Sequence, residues 1–114
     1  NEEKELEFGL APFGVISLDC ALGLYVKALV SSRLMDWPAL IARMTVNPAA
    51  VIDRPLGTLN VGAAADVTVI DPNRRWTVRA DRFASKARNC PYERWRLKGA
   101  ARYTIVGGEV KFRL

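Results

Sequence analysis

The chain contains no histidine, and that one omission decides most of the chemistry it can perform by itself. Histidine-assisted serine or cysteine nucleophiles are excluded, and so are most zinc sites, because imidazole and thiolate are the usual nitrogen and sulfur donors. The two cysteines, Cys20 and Cys90, belong to no C-x-x-C pair, so neither a zinc ribbon nor a disulfide framework is indicated. They are expected as free thiols, with Cys20 on the core face of a helix, where small buried cysteines are common. Among the carboxylates, Glu2, Glu3 and Glu5 resemble an acid/base cluster only superficially, and with Lys4 they read as a solvated loop. Asp66 and Asp71 flank a β-branched run and are expected to cap turns. The remaining feature is backbone: in Ala11-Pro12-Phe13-Gly14, Pro12 fixes φ and Gly14 permits a conformation closed to most residues. On residue type alone Phe13 is an ordinary anchor and Gly14 an ordinary turn glycine.

These residues sit in a chain of 114 residues that is half hydrophobic and one quarter charged, a composition suited to one soluble globular core. The most apolar stretch, Val15 to Val26, is interrupted by Asp19 and too short to cross a bilayer. Nothing near Asn1 resembles a signal peptide, so the expected location is the cytoplasm, with no membrane partner. Charge is uneven. Residues 1–71 carry 5 basic and 9 acidic side chains, whereas 72–114 carry 12 basic and 3 acidic. A basic half interleaved with Trp76, Phe83, Tyr92, Trp95 and Tyr103 is compatible with nucleic-acid binding, but it contains no RNP or zinc-finger signature. A charged protein surface is the better reading, with no nucleic acid as partner.

The elements that must position these groups fall into two classes. From Ser17, Leu18, Ala21, Leu22, Tyr25, Val26 and Leu29 repeat at helical spacing and predict one buried stripe. Leu24 and Ala28 lie off it, which suggests packing on a second side. A second helix is predicted from an Asp36 cap with Pro38 in its first turn and Leu40, Ile41 and Met44 inward. A third is predicted from an Asn47 cap with Pro48 first, ending near Asp53. The period then changes: Asp66 to Asp71 and Trp76 to Val78 read as strands around an Asp71-Pro72-Asn73 turn, followed by Trp95 to Leu97 and Tyr103 to Val106. Gly107-Gly108 is a tight hairpin signal leading to Val110 to Phe112. The fold class is therefore α+β, with a boundary between Pro55 and Gly62.

Five stretches carry a resemblance to a known family. Gly57 to Asp71 matches a G-x-(L/I)-x-x-G-x-x-A-D-(L/V)-x-(L/V)-x-D pattern that resembles the re-entry segment of metal-dependent amidohydrolases. Glu7-Phe8 followed by Ala11-Pro12-Phe13-Gly14-Val15 resembles the E-F-x-x-A-P-F-G-(I/V) loop of bacterial dihydroorotases, and Thr45 to Ala49 resembles their T-x-N-P-A helix start. Ser85 to Tyr92 is similar to their S-K-x-x-N-(T/S)-P-(F/Y) segment, and Ile105 to Val110 to the final I-V-x-G-x-V hairpin. All occur in family order. Two departures stand out: Ser17-Leu18-Asp19-Cys20 replaces the usual G-L-E-T, and Arg94 replaces a common glycine.

The resemblance implies that residues 1–56 are the last helices of a TIM-barrel amidohydrolase domain with its substrate loop, and that 57–114 are strands of the accessory β-sandwich. It implies interconversion of N-carbamoyl-L-aspartate and dihydroorotate in pyrimidine biosynthesis, by a hydroxide on zinc held by histidines, an aspartate and often a carbamylated lysine. Those ligands would lie upstream of Asn1, the last of them in a D-H-A-P-H segment, so the chain alone is expected to be inactive and to bind no metal. What remains of the site is the loop at the C-terminal face of the barrel. There the Phe-Gly pair of the family touches substrate through backbone atoms, which carries over to Phe13 and Gly14, with Pro12 shaping the turn. Backbone amides suit an anionic substrate because they are fixed donors that do not titrate. Association as a homodimer or with aspartate carbamoyltransferase stays open. So does a non-catalytic assembly role, or a related dihydropyrimidinase, hydantoinase or allantoinase activity.

Overall fold

The fold is known from a computed structural model, which describes Glu7, Gly9, Leu10 and residues 13–114. Helices occupy the first half and strands the second, as the change of period requires. The first helical stretch opens with a 3-10 turn, Leu18–Cys20, continues as α1 (Ala21–Tyr25) and loosens into a π-type segment, Val26–Val30. The loosening is visible in five-residue hydrogen bonds from Ser31 N–H to the Val26 carbonyl (2.8 Å) and from Leu34 N–H to Leu29 (2.9 Å). Arg33 ends the stretch in the left-handed region, at φ 61°.

The buried side of this stretch keeps Cys20 and Val26 as expected, but not the whole predicted stripe. Cys20, Gly23 and Val26 are buried, whereas Leu18 is 89% exposed and Tyr25 45%. The stretch is apolar nearly all round, so periodicity cannot select its inner face. Fit selects it instead: a Cβ on Gly23 would lie 2.9 Å from Leu97 Cδ1, so the backbone of α1 approaches the sheet where a side chain is missing.

α2 (Trp37–Met44) begins as expected, with the Asp36 carboxylate accepting from Ala39 N–H at 2.9 Å and Pro38 in the first turn. α3 (Val46–Val51) starts earlier than expected, with Thr45 rather than Asn47 at its N-terminal boundary. Pro48 still lies in the first turn, where its missing N–H costs nothing. Thr45 Oγ1 is committed elsewhere, donating to the Ile41 carbonyl at 2.7 Å.

Three antiparallel strands, β1 (Val67–Thr77), β2 (Arg96–Val106) and β3 (Glu109–Arg113), lie in that order in one sheet. The four segments expected before the hairpin are thus two long strands. In β1 the Asp71 carboxylate accepts from Asn73 N–H (2.9 Å) and Arg74 N–H (3.1 Å), the local turn that the residues predict. The ladder bulges there and resumes at Arg75, opposite Lys98. In β2 the apparent gap is Gly99-Ala100-Ala101, of low strand propensity, where Ala100 and Ala101 are held in register by β1 and Gly99 sits opposite the bulge. Gly99 has φ +87°, and a Cβ there would meet Val26 Cγ2 at 3.2 Å and Trp37 Cη2 at 3.3 Å. Trp76 Nε1–H donates to its carbonyl at 3.0 Å. Gly107 and Gly108, at φ 57° and 84°, make the two-residue hairpin turn. The Asp66 carboxylate accepts from Gly107 N–H at 2.8 Å, tying the start of β1 to that turn.

Cys20, Val78 and Leu97 form the central buried cluster, with Leu24, Trp76, Phe83, Cys90 and Tyr92 packed against it. It is small. The radius of gyration is 16.4 Å and the extents 53 × 29 × 28 Å, whereas a closed domain of this length has a radius near ~13 Å. Among the described residues no helix is long and apolar enough to cross a membrane.

Candidate functional site: the Phe13–Gly14 loop

Phe13 and Gly14 stand at the surface just before the first helical turn. Phe13 is 88% exposed, far from the core position its type would favour. Gly14 has φ +60°, and a Cβ there would meet no described residue within 4 Å, so glycine is required for the backbone angle and not for room among these residues. Pro12 lies outside the described residues, as do Glu2, Glu3 and Glu5.

The loop is held from a distance. Asn89 Nδ2 donates to the Gly14 carbonyl at 3.0 Å and lies 3.4 Å from the Phe13 carbonyl. The Asn89 carbonyl accepts from Ile16 N–H at 3.3 Å, and the Asp19 carboxylate accepts from Ala84 N–H at 2.9 Å. Residues 84–90 therefore run beside residues 13–19, joined at both ends. The sequence contains Asn89 within a family-like segment, but residue type alone assigned it no role. Its signal was the S-K-x-x-N spacing next to a second motif far away in the chain.

The same juxtaposition brings the thiols together. Cys20 and Cys90 are both free, Cys20 buried and Cys90 packed against the same cluster. Cys20 Sγ–H donates to the Ser17 carbonyl at 3.3 Å. Burial, and secondarily the neighbouring Cys90, push the Cys20 thiol from the ordinary 9.0 up to about 11. A thiol whose folded value is raised supports the fold below pH 9, and that contribution is lost as the pH rises toward 11. Cys20→Ala is therefore expected to flatten the alkaline limb of a pH–stability curve. At pH 8 an alkylating reagent should modify Cys90 and spare Cys20 until the chain unfolds, as read by mass mapping. Equal labelling of both in the folded state would contradict this packing.

The chain offers no metal site among its described residues. It has no histidine, and among the described residues no group of three or more Cys, Asp or Glu could hold an ion. Asp66 and Asp71 are engaged in turns. The described residues therefore do not fit zinc, and no step through a metal is assigned to them. In the basic half Arg79 pairs with Glu93 at 3.9 Å and Arg113 lies 5.7 Å from the Tyr103 ring centroid, while Lys27 of the first helical stretch lies 5.7 Å from the Trp95 ring centroid.

Comparison with known proteins gives this geometry a family. A dihydroorotase of Geobacter metallireducens is 45% identical over 112 residues, covering 98% of this chain and 26% of that protein. One of Pelotomaculum thermopropionicum is 47% identical over 109 residues, 96% of this chain and 26% of its own length. Among solved structures, an L-hydantoinase (dihydropyrimidinase) from Arthrobacter aurescens superposes with a TM-score of 0.85 at 27% identity, over 94% of this chain and 24% of that one. The chain thus spans about a quarter of the length of the relatives it matches. The Amidohydrolase family matches residues 27–112, which take in α2, α3 and nearly all of the sheet, and the chain belongs to that family.

Proposed function

We propose that this chain is the C-terminal part of a dihydroorotase, a hydrolase acting on a cyclic amide, and that it contributes the substrate loop but not the metal centre. The carrying observation is identity above 40% to dihydroorotases across nearly the whole chain. Identity to the solved hydantoinase is much lower, which disfavours a hydantoinase-like substrate. In this reading residues 1–56 close the helical layer of a TIM barrel and 57–114 belong to an accessory β-sandwich. Zinc ligands and the residue that handles the proton lie on the remaining three quarters of the enzyme. Phe13 and Gly14 contact the substrate through backbone atoms. The exposed Leu34, Val51, Ile52, Leu59 and Val61 support it, since a small core beside so much open apolar surface suits a part that packs on more protein.

The test is turnover by the full-length enzyme. It is expected to interconvert N-carbamoyl-L-aspartate and dihydroorotate, to prefer dihydroorotate over uncharged hydantoins, and to lose activity on chelation. The 114-residue segment should give no turnover with or without zinc, and should associate on size-exclusion chromatography. A hydantoin preference would transfer the enzyme to the related cyclic amidases. Turnover by the segment alone would overturn the assignment of the metal site.

A further inference from the structure

We propose that Asn89 is a positioning residue for the substrate loop, holding the Phe13–Gly14 backbone in its binding conformation from across the fold. The inference rests on the dihydroorotase reading and extends it to a residue that touches neither substrate nor metal. Phe13 is exposed, and among the described residues Gly14 has no neighbour that a Cβ would meet, so side-chain packing on these residues does not fix this turn. Its geometry depends on polar tethers. Asn89 supplies two kinds at once: its side-chain amide donates to the Gly14 carbonyl with Phe13's beside it, and its own carbonyl receives Ile16 N–H.

The loop and its clamp are separated by 75 residues, so the clamp forms only when residues 84–90 dock on the first helical stretch. Asn89 is itself partly buried, and the Asp19–Ala84 bond fixes the other end of the docked segment. An amide is the side chain that suits this place. Two carbonyl oxygens face it, so the group must donate; a carboxylate of the same shape would present only acceptors and repel them.

When a tether is removed, the binding-competent loop becomes one conformation among several, and apparent affinity falls by its fractional population. With one net hydrogen bond at stake, Asn89→Ala in the full-length enzyme is expected to raise KM for dihydroorotate about five- to tenfold. kcat should fall less than KM rises, because the reacting groups are untouched. Asn89→Asp, though nearly isosteric, should raise KM more than Asn89→Ala does, and Asn89→Ser, which keeps a shorter donor, should lie between wild type and Asn89→Ala. That order is the discriminating readout. A merely structural asparagine would lower the melting temperature in all three variants and leave KM unmoved. An active wild type with KM within twofold in all soluble variants, or with Asn89→Asp milder than Asn89→Ala, overturns this inference alone. A wild type that does not turn over dihydroorotate overturns the functional reading, and this inference falls with it.

Discussion

Gly57→Ala is expected to lower the unfolding free energy by roughly 2–5 kcal/mol, from two separable causes. Gly57 has φ +76°, a region that costs an L-residue about 1–2 kcal/mol. A Cβ there would also sit 2.9 Å from both Thr45 C and Val46 N. Those are backbone atoms at the α2–α3 junction, and they cannot rotate away as a side-chain tip could. Relieving the clash means moving the start of α3 or the turn itself, an overpacking cost of about 1–3 kcal/mol. Gly62→Ala is the internal control. Gly62 has φ +86° but nothing within 4 Å of its missing Cβ, so that variant bears the conformational cost only. Urea unfolding of the two variants against wild type measures the difference. Equal losses would show that the close approach of Gly57 to the helix junction contributes nothing.

Leu97→Ala is expected to cost about 2–5 kcal/mol, the range for emptying a well-packed leucine site. Leu97 is only 3% exposed and belongs to the cluster with Cys20 and Val78 that joins the first helix to the sheet. Its Cδ1 occupies the hollow over Gly23, so truncation opens a space that the helix cannot fill without tilting. Leu18→Ala makes the comparison sharp. Leu18 has the same side chain and stands in the predicted stripe, yet it is exposed, and its loss should stay within about 0.5 kcal/mol in the 114-residue chain. If Leu18→Ala proved as costly as Leu97→Ala, the stripe read from periodicity would be restored and the observed packing of the first helix would be wrong.

The helical stretch and the two long strands mark where sequence reading stops. Leu18 and Tyr25 obeyed the spacing rule and still faced outward, because the stretch offers no polar side to exclude from the core. Gly99-Ala100-Ala101 read as a break because those residues have little intrinsic preference for strand, and strand β1 supplies the pairing that holds Ala100 and Ala101 beside the bulge. Asn47 had the right chemistry for a cap, but the chain turns into α3 at Thr45, where α2 ends. For the candidate site, the Phe13–Gly14 turn was legible from its residue types and family-like spacing. The residue clamping it was not, since no local rule links positions 75 apart.

By themselves the amino acids determined the order of helices before strands, the Asp36 cap with Pro38, the Asx turn at Asp71, the Gly107–Gly108 hairpin and the absence of an imidazole donor. Each is settled by atoms a few residues apart, within reach of one side chain or one turn. The tertiary structure alone decided that Leu18 and Tyr25 of the first helix turn outward, where the strands merge, and that Asn89 meets the loop. Those outcomes depend on shape fit and pairing between segments distant along the chain, which no short window of sequence contains.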